Sequence, residues 1–196
     1  RITARGALRD LTNRPDGAGE AAAGAGEPTP PIALEARFER VRLGERRESR
    51  DVTVALGHDG RRMQALEARG GLGDHGSYTA SLRAEAGGRA LDLRSDDAGA
   101  LLALLGVMDS MAGGRLHVAG RYDDTRPTSP LAGEATIEEF RLRDAPAIGR
   151  VLQAMTLYGL LEMARGPGLS FSNLVAPFTL DGDTLQLHDA RAYGPS

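Results

Sequence analysis

The chain has 196 residues, of which 41% are apolar and 26% charged, so it is long enough to bury a core and has an ordinary folded composition. Its formal net charge of -3 provides no basic surface, which argues against a nucleic-acid partner. Cysteine is absent, which excludes disulfides, thiolate–metal sites and a cysteine nucleophile. Aromatic residues make up 4% of the chain, and a core must therefore depend on aliphatic side chains.

The first 31 residues are predicted to hold the remnant of a strand and a flexible linker. Residues 15–31, PDGAGEAAAGAGEPTPP, are rich in Pro, Gly and Ala and contain no large apolar residue. Such a segment cannot bury enough surface to offset the entropy of ordering. The sequence opens with RITARG and not with Met, and we interpret it as a fragment of a longer chain. A signal peptide or membrane anchor would then lie outside it.

From residue 32 onwards, apolar residues recur with a period of two, which is typical of strands that bury one face. Ile32, Leu34, Ala36 and Phe38 alternate with polar residues, and the phase slips before Val41 as it would at a β-bulge. The pattern predicts mostly antiparallel neighbours, with a clear hairpin over 177–190. Further predicted strand segments lie at 52–56, 78–84, 91–93, 116–122, 135–142, 169–180 and 184–192.

Two Leu- and Met-rich segments interrupt this pattern and predict helices. Asp96 or Asp97 can cap a first helix over 96–112, which Gly113 and Gly114 would end.

The second helix is predicted over 145–165, where Asp144 suits the N-cap and Pro146 the first turn. Its longest uncharged run has 11 residues, whereas a membrane span needs about 20. Burial on the chain's own sheet is therefore favoured over insertion into a bilayer interface. The helix residues predicted to cap the sheet are Leu101, Leu105, Met108, Ile148, Leu152 and Met155.

No motif in the sequence predicts catalysis. No G-x-G-x-x-G, Walker or G-x-S-x-G motif is present, and the pairs Asp96–Asp97 and Asp123–Asp124 are explained by a helix cap and a turn. We therefore expect no catalytic residue, no metal site and no cofactor, and an unrecognised hydrolase is the least favoured class. The histidines are scattered, without the close spacing of metal ligands, at His58, His75, His117 and His188.

A sheet with one continuous apolar face can satisfy that face in two ways. It can close on a second sheet as a sandwich, or it can leave a trough for a ligand. Small and aliphatic residues such as Ala36, Ala80, Ala84 and Val118 suit both. Buried strand faces usually belong to a closed core, so the residues alone favour the sandwich.

Residues 135–196 resemble the C-terminal region of the AsmA-like family of bacterial envelope proteins, the relatives of YhdP and TamB. The resemblance lies in FRLRDAPAIGRVLQ, the Leu-rich segment after it, GLSF with FTLDGD, and the closing LHDARA. It implies a long open groove in a protein that is anchored in the inner membrane and extends through the periplasm. Phospholipid acyl chains would move along this groove toward the outer membrane, a role in outer-membrane biogenesis that requires no enzyme activity.

This resemblance reverses the preference for a sandwich. We expect a mainly β chain with two helices, an α+β fold in which a curved antiparallel sheet over 32–196 forms an open apolar groove that the helices cap or cover. The expected partner is phospholipid or another acyl lipid, envelope proteins are further candidates, and membrane association would come mainly from missing parts of the chain. The alternative is a structural β-module of the envelope that binds a protein partner without lipid transport.

The residues predicted to line the groove are the apolar members of the alternating segments. They are Ile32, Leu34, Phe38, Val52, Val54, Tyr78, Leu82, Leu91, Leu93, Val118, Ile137, Phe140, Leu142, Phe171, Leu180, Leu185 and Leu187.

Overall fold

A computed structural model describes residues 2–10, 30–44, 47–143 and 169–194. These residues form a mostly antiparallel β-sheet with one short helix, and the sheet is open, not closed. The elements are β1 (Ile2–Asp10), β2 (Ile32–Gly44), β3 (Arg47–His58), β4 (Met63–Leu72), β5 (Gly76–Glu85), β6 (Gly88–Ser95), α1 (Ala98–Leu104), β7 (Met111–Asp123), β8 (Leu131–Leu142), β9 (Leu169–Asp181), β10 (Thr184–Leu187) and β11 (Arg191–Tyr193).

The strands follow one another across the sheet in chain order. From β2 to β9 each strand pairs antiparallel with the next, and β1 adds to the edge of β2 in the parallel sense. At the far edge, β10 and β11 both pair with β9: β10 with its C-terminal part and β11 with its middle. The described strands thus form a single sheet whose outer strands are β1 on one side and β10 with β11 on the other.

The first irregularity of the sheet lies between β2 and β3. Phe38 pairs with Val52 and Arg40 with Arg50, whereas Asp51 between them has a φ of 50° and takes no place in the ladder. Phe38 and Val41 consequently stay on the same side although they are three residues apart, and Val41 is buried. The phase slip expected before Val41 is confirmed.

A second irregularity crosses β7, β8 and β9. Gly114 and Glu139 drop out of the ladder with φ values of 92° and 54°. Ile137 and Phe140, again three residues apart, are both buried, and Phe140 stacks on Phe171 of β9 with ring centroids 5.0 Å apart. These two irregularities lie at the same end of the sheet, which we call the helix end because α1 lies there. A further register shift lies at the opposite end, between Gly57 and His58 of β3.

The helix α1 closes the core at the helix end. Asp97 caps it by accepting a hydrogen bond from the Ala100 N–H at 2.9 Å, and Gly106, with a φ of 72°, follows its C-cap. The buried apolar side chains that surround the helix are Leu72, Ala98, Leu101, Leu104, Met111, Leu116, Ile137, Phe140, Leu142, Leu169 and Phe171.

The predicted α+β class with two helices capping a groove is wrong. The first predicted helix, over 96–112, is a single short helix that ends at Leu104, because Gly106 adopts a positive φ. Gly113 and Gly114 do not cap a helix but form the irregularity inside β7. The second predicted helix, over 145–165, lies outside the described residues, as does nearly all of the predicted linker.

The contact between α1 and β7 is tested by Gly99→Ala. A Cβ at Gly99 would lie 2.6 Å from the Met111 carbonyl oxygen and 2.9 Å from the Ala112 Cα, so both clashes are with backbone. The helical preference for Ala is worth about 1 kcal/mol, whereas overpacking costs about 1–3 kcal/mol. Because backbone cannot rotate away, we expect a net loss of stability in urea unfolding.

The matched control is Gly57→Ala in β3, where a Cβ would meet the Ala65 Cβ at an ordinary 3.7 Å. This variant should stay within about 0.5 kcal/mol of the native chain. A Gly99→Ala variant as stable as the control would show that the helix is not seated on β7.

Candidate functional site: the apolar face of the sheet

The register of the sheet brings the apolar side chains of successive strands into rows that run across the strands. We call one of them the alanine–valine row; its members are directly paired from β2 to β9 and all of them are apolar. They are Ala36, Val54, Ala68, Ala80, Leu93, Val118, Ala135 and Ala176.

A second row, the leucine row, runs beside it. It extends from β2 to β10, and its members in β7 and β8 are a directly paired couple of glycines. Its members are Leu34, Leu56, Leu66, Leu82, Leu91, Gly120, Gly133, Phe178 and Leu187. The two rows together give an apolar face that is continuous across at least eight strands, and we call it the apolar face.

Burial divides the apolar face into two parts. At the helix end the side chains around α1 are buried in the core cluster, as Phe140 and Leu142 illustrate with 1% and 0% exposure. Along the two rows many side chains are half-buried, among them Leu56, Leu66 and Leu91. The helix end therefore supplies packing, while part of the two rows remains accessible to solvent.

The structure places the predicted lining residues on this one face, but in different environments. Phe140, Leu142, Phe171 and Ile137 belong to the closed core around α1. At the far edge, Leu185 and Leu187 are 59% and 53% exposed. The half-buried members are Leu34, Phe38, Val54, Tyr78, Leu91, Leu93, Val118 and Leu180, while Val52 and Leu82 are buried and Ile32 is exposed.

The residues predicted to cap the sheet also lie in different environments. Leu101 is buried within α1, and Met108 packs against the core after the helix. Leu105, at the C-cap, is 52% exposed and does not cover the sheet. Ile148, Leu152 and Met155 lie outside the described residues.

Tyr78 shows how a polar group is accommodated on the apolar face. Its hydroxyl lies 3.2 Å from the Ser49 hydroxyl, which in turn lies 3.0 Å from the Gly71 carbonyl oxygen. Ser49 is 1% exposed, and the glycine at position 70 leaves room for this contact. No pattern in the sequence singled out Ser49, which faces the core because of the irregularity at Asp51. The hydroxyl pair is thus satisfied without water.

The opposite face of the sheet is polar and carries exposed ion pairs. Arg83 binds Glu67 at 3.0 Å, and Arg94 binds Asp92 at 2.9 Å. The hydrogen bond from Arg94 is the main reason that the pKa of Asp92 is lowered, and His117 contributes from 2.8 Å. Such pairs stabilise little in water, so this face is a solvated surface.

An ion pair between the buried Arg89 and the half-buried Asp124 closes the apolar face at the end opposite α1. Arg89 lies between Ala84 and Tyr122 in the register, and its guanidinium is 4.2 Å from the centre of the Tyr122 ring. It donates two hydrogen bonds of 2.9 Å to the carboxylate of Asp124, which also pairs with Arg62 at 3.1 Å. Arg89 therefore places a charge on the apolar face, but one that Asp124 neutralises locally.

Within residues 2–10, 30–44, 47–143 and 169–194, no three His, Asp or Glu side chains are placed to hold a metal ion. His58 instead accepts a hydrogen bond from the Gly60 N–H in its turn, and His188 contacts Thr179. In the same residues, no helix has the length and apolar character to cross a bilayer.

Comparison of the chain with protein-family models, with curated proteins and with solved structures finds no match.

Asp124→Asn tests the ion pair at the end opposite α1. Arg89 is 7% exposed, so a weaker partner leaves a largely buried guanidinium incompletely neutralised. We expect a loss of about 2–3 kcal/mol at neutral pH, the size of a hydrogen-bonded charge interaction. Glu67→Gln, which weakens the exposed pair with Arg83, is the matched control and should change stability little.

The stability lost in Asp124→Asn should depend on pH. The hydrogen bonds from Arg89 lower the pKa of Asp124 below its ordinary 3.8, against the opposing effect of burial. A carboxyl whose pKa is lowered by folding stabilises the fold above its unfolded pKa and loses that stabilisation as the pH falls through its folded pKa. The stability difference between native chain and Asp124→Asn should therefore shrink below about pH 4. A difference that stays constant down to pH 2 would contradict the pairing.

Proposed function

We propose that the chain is a segment of an AsmA-like protein of the bacterial cell envelope that binds phospholipid acyl chains along the apolar face of its open sheet and conducts them between the inner and outer membranes. The segment would work in the periplasm and would need no catalytic residue. The observation that supports the proposal is the continuity of the alanine–valine row, which crosses eight strands without a polar side chain.

The dimensions of the apolar face suit an acyl chain. Neighbouring strands are about 4.8 Å apart, so the seven intervals of the alanine–valine row span about 34 Å. The hydrocarbon core of a whole bilayer is about 30 Å thick, and a single extended tail reaches about half of that. A tail lying across the strands would therefore find apolar contact over its full length, with room for a second tail along the same row.

The chemistry of the rows suits movement as well as binding. Burying a CH₂ group contributes up to about 0.8 kcal/mol, so six partly covered groups supply a few kcal/mol in total. This contribution has no preferred direction and requires no hydrogen bond. Small side chains such as Ala68 and Ala80 project little from the sheet, so a tail could shift along the row without crossing a large barrier.

A structural β-module that binds a protein partner is the alternative, and a specific observation favours it. The edge formed by β10 and β11 carries Leu185, Leu187 and Tyr193, all of them more than half exposed. An exposed edge strand with apolar side chains can pair with a strand of another chain. This function would use the outer edge of the sheet, where Leu187 ends the leucine row, and not the part of the apolar face on the inner strands.

Photo-crosslinking separates the two functions. A benzophenone side chain at Leu56 or Leu91 would lie in the leucine row, whereas at the adjacent Ala55 or Ala90 it would lie on the polar face. All four positions are half-buried, which makes them matched controls for accessibility. With phospholipid vesicles, we expect lipid adducts at 56 and 91, measured by mass spectrometry, and few at 55 and 90. Equal labelling at all four positions would contradict lipid binding on the apolar face.

A further inference from the structure

A depression of about 650 Å³ opens at the helix end, where β3 and β4 approach α1. This volume is within the range of small-molecule sites. One wall is cationic and includes Arg40, Arg47 and Arg50, together with one carboxylate. The other wall is aliphatic, with Ala100, Ala103 and Leu104 of α1 beside Leu72 of β4.

Two of the three guanidinium groups at the depression have no acidic partner among the described residues. Arg50 binds Asp74 at 3.2 Å, and the lining carboxylate of Glu48 lies 3.9 Å from Arg42. Within the described ranges, the side chains of Arg40 and Arg47 form no hydrogen bond or ion pair. Among the described residues, the depression therefore has an excess of positive charge.

Arg47 is held close to the end of α1. Its guanidinium occupies the space that a side chain at Gly106 would fill, and Gly106 also needs its positive φ. The residues on either side of this glycine, Leu105 and Val107, are 52% and 67% exposed. The guanidinium of Arg47 thus lies beside Gly106, whose two neighbours in the chain are exposed and apolar.

We propose that this depression binds the phosphate-bearing headgroup of an amphiphile, whose first methylene groups lie on the aliphatic wall formed by Ala100, Ala103 and Leu104. Guanidinium groups bind phosphate oxygens with paired, charge-assisted hydrogen bonds, and this is the chemistry that Arg40 and Arg47 offer. The aliphatic wall favours a lipid over a free phosphate. The inference rests on the proposed function and adds to it a headgroup position.

The test is calorimetric titration of the full chain with three probes. Dihexanoyl phosphatidate carries both phosphate and tails, dihexanoylglycerol carries the tails alone, and glycerol 3-phosphate carries the headgroup alone. We expect phosphatidate to bind about tenfold more tightly than each of the other two, the effect of one charge-assisted interaction. Arg40→Gln/Arg47→Gln should remove its advantage over dihexanoylglycerol.

Two further variants sharpen the test. Arg61→Gln/Arg126→Gln removes the same charge at exposed positions in turns at the opposite end of the sheet and should keep the tenfold preference. Ala103→Glu leaves both arginines in place but adds a carboxylate to the aliphatic wall, and it should lose the preference by repulsion. Circular dichroism and thermal unfolding establish that each variant is folded.

The outcomes distinguish the inference from the function on which it rests. Equal affinity of the native chain for phosphatidate and dihexanoylglycerol would overturn the headgroup site and leave acyl-chain binding intact. Glycerol 3-phosphate binding as tightly as phosphatidate would identify a site for free phosphate and overturn the amphiphile. Failure of both lipids to bind would overturn the proposed function and this inference together.

Discussion

The continuity of the apolar face depends on strand register. Side chains alternate between the faces with a period of two, so a slip of one residue between any two strands would turn half of the face to the polar side. At Glu39 opposite Asp51, and at Gly114 opposite Glu139, one residue drops out of each partner strand, so the register between these strands is kept. Between β3 and β4 the register shifts by one residue from Arg50 to Thr53, and Val54 and Ala68 are again directly paired beyond the shift. Because β2 and β3 each lose one residue from the ladder at the same level, Phe38 still pairs with Val52, and Val41 still pairs with Ser49.

This arrangement separates the source of stability from the proposed binding surface. At the helix end, α1 and the stacked pair Phe140–Phe171 form a closed core with nearly dry side chains. Such packing contributes several kcal/mol for each large side chain, as the cost of truncating one shows. The rows farther from α1 are less completely covered: most of their side chains are half-buried, although Leu82 and Phe178 are buried. An accessible apolar surface can be kept there because most of the buried core lies around α1.

The sequence predicted the strands in which apolar and polar residues clearly alternate, and it also predicted which of their residues share one face. This was possible because the alternation of side chains between the two faces can be read from neighbouring residues alone. It failed for β4, whose MQALEAR stretch consists of residues that favour helices and becomes a strand through pairing with β3 and β5. It also extended the first helix too far, since both the positive φ of Gly106 and the irregularity at Gly114 are consequences of packing against neighbours. The depression at the helix end joins β3, β4 and α1, and no sequence pattern unites them.

The two ends of the apolar face differ in how their arginine side chains are paired. This difference determines how an anionic amphiphile would be oriented on the face. At the end opposite α1, a phosphate would have to compete with the carboxylate of Asp124, which accepts two hydrogen bonds from the buried Arg89 and a third contact from Arg62. At the helix end, Arg40 and Arg47 have no such competitor among the described residues. Displacing the paired carboxylate of Asp124 would leave the buried Arg89 without its partner, which is costly, whereas occupying an open cationic depression breaks no such pair. An anionic amphiphile on this face would therefore bind with its headgroup beside α1 and its tails directed toward the two rows.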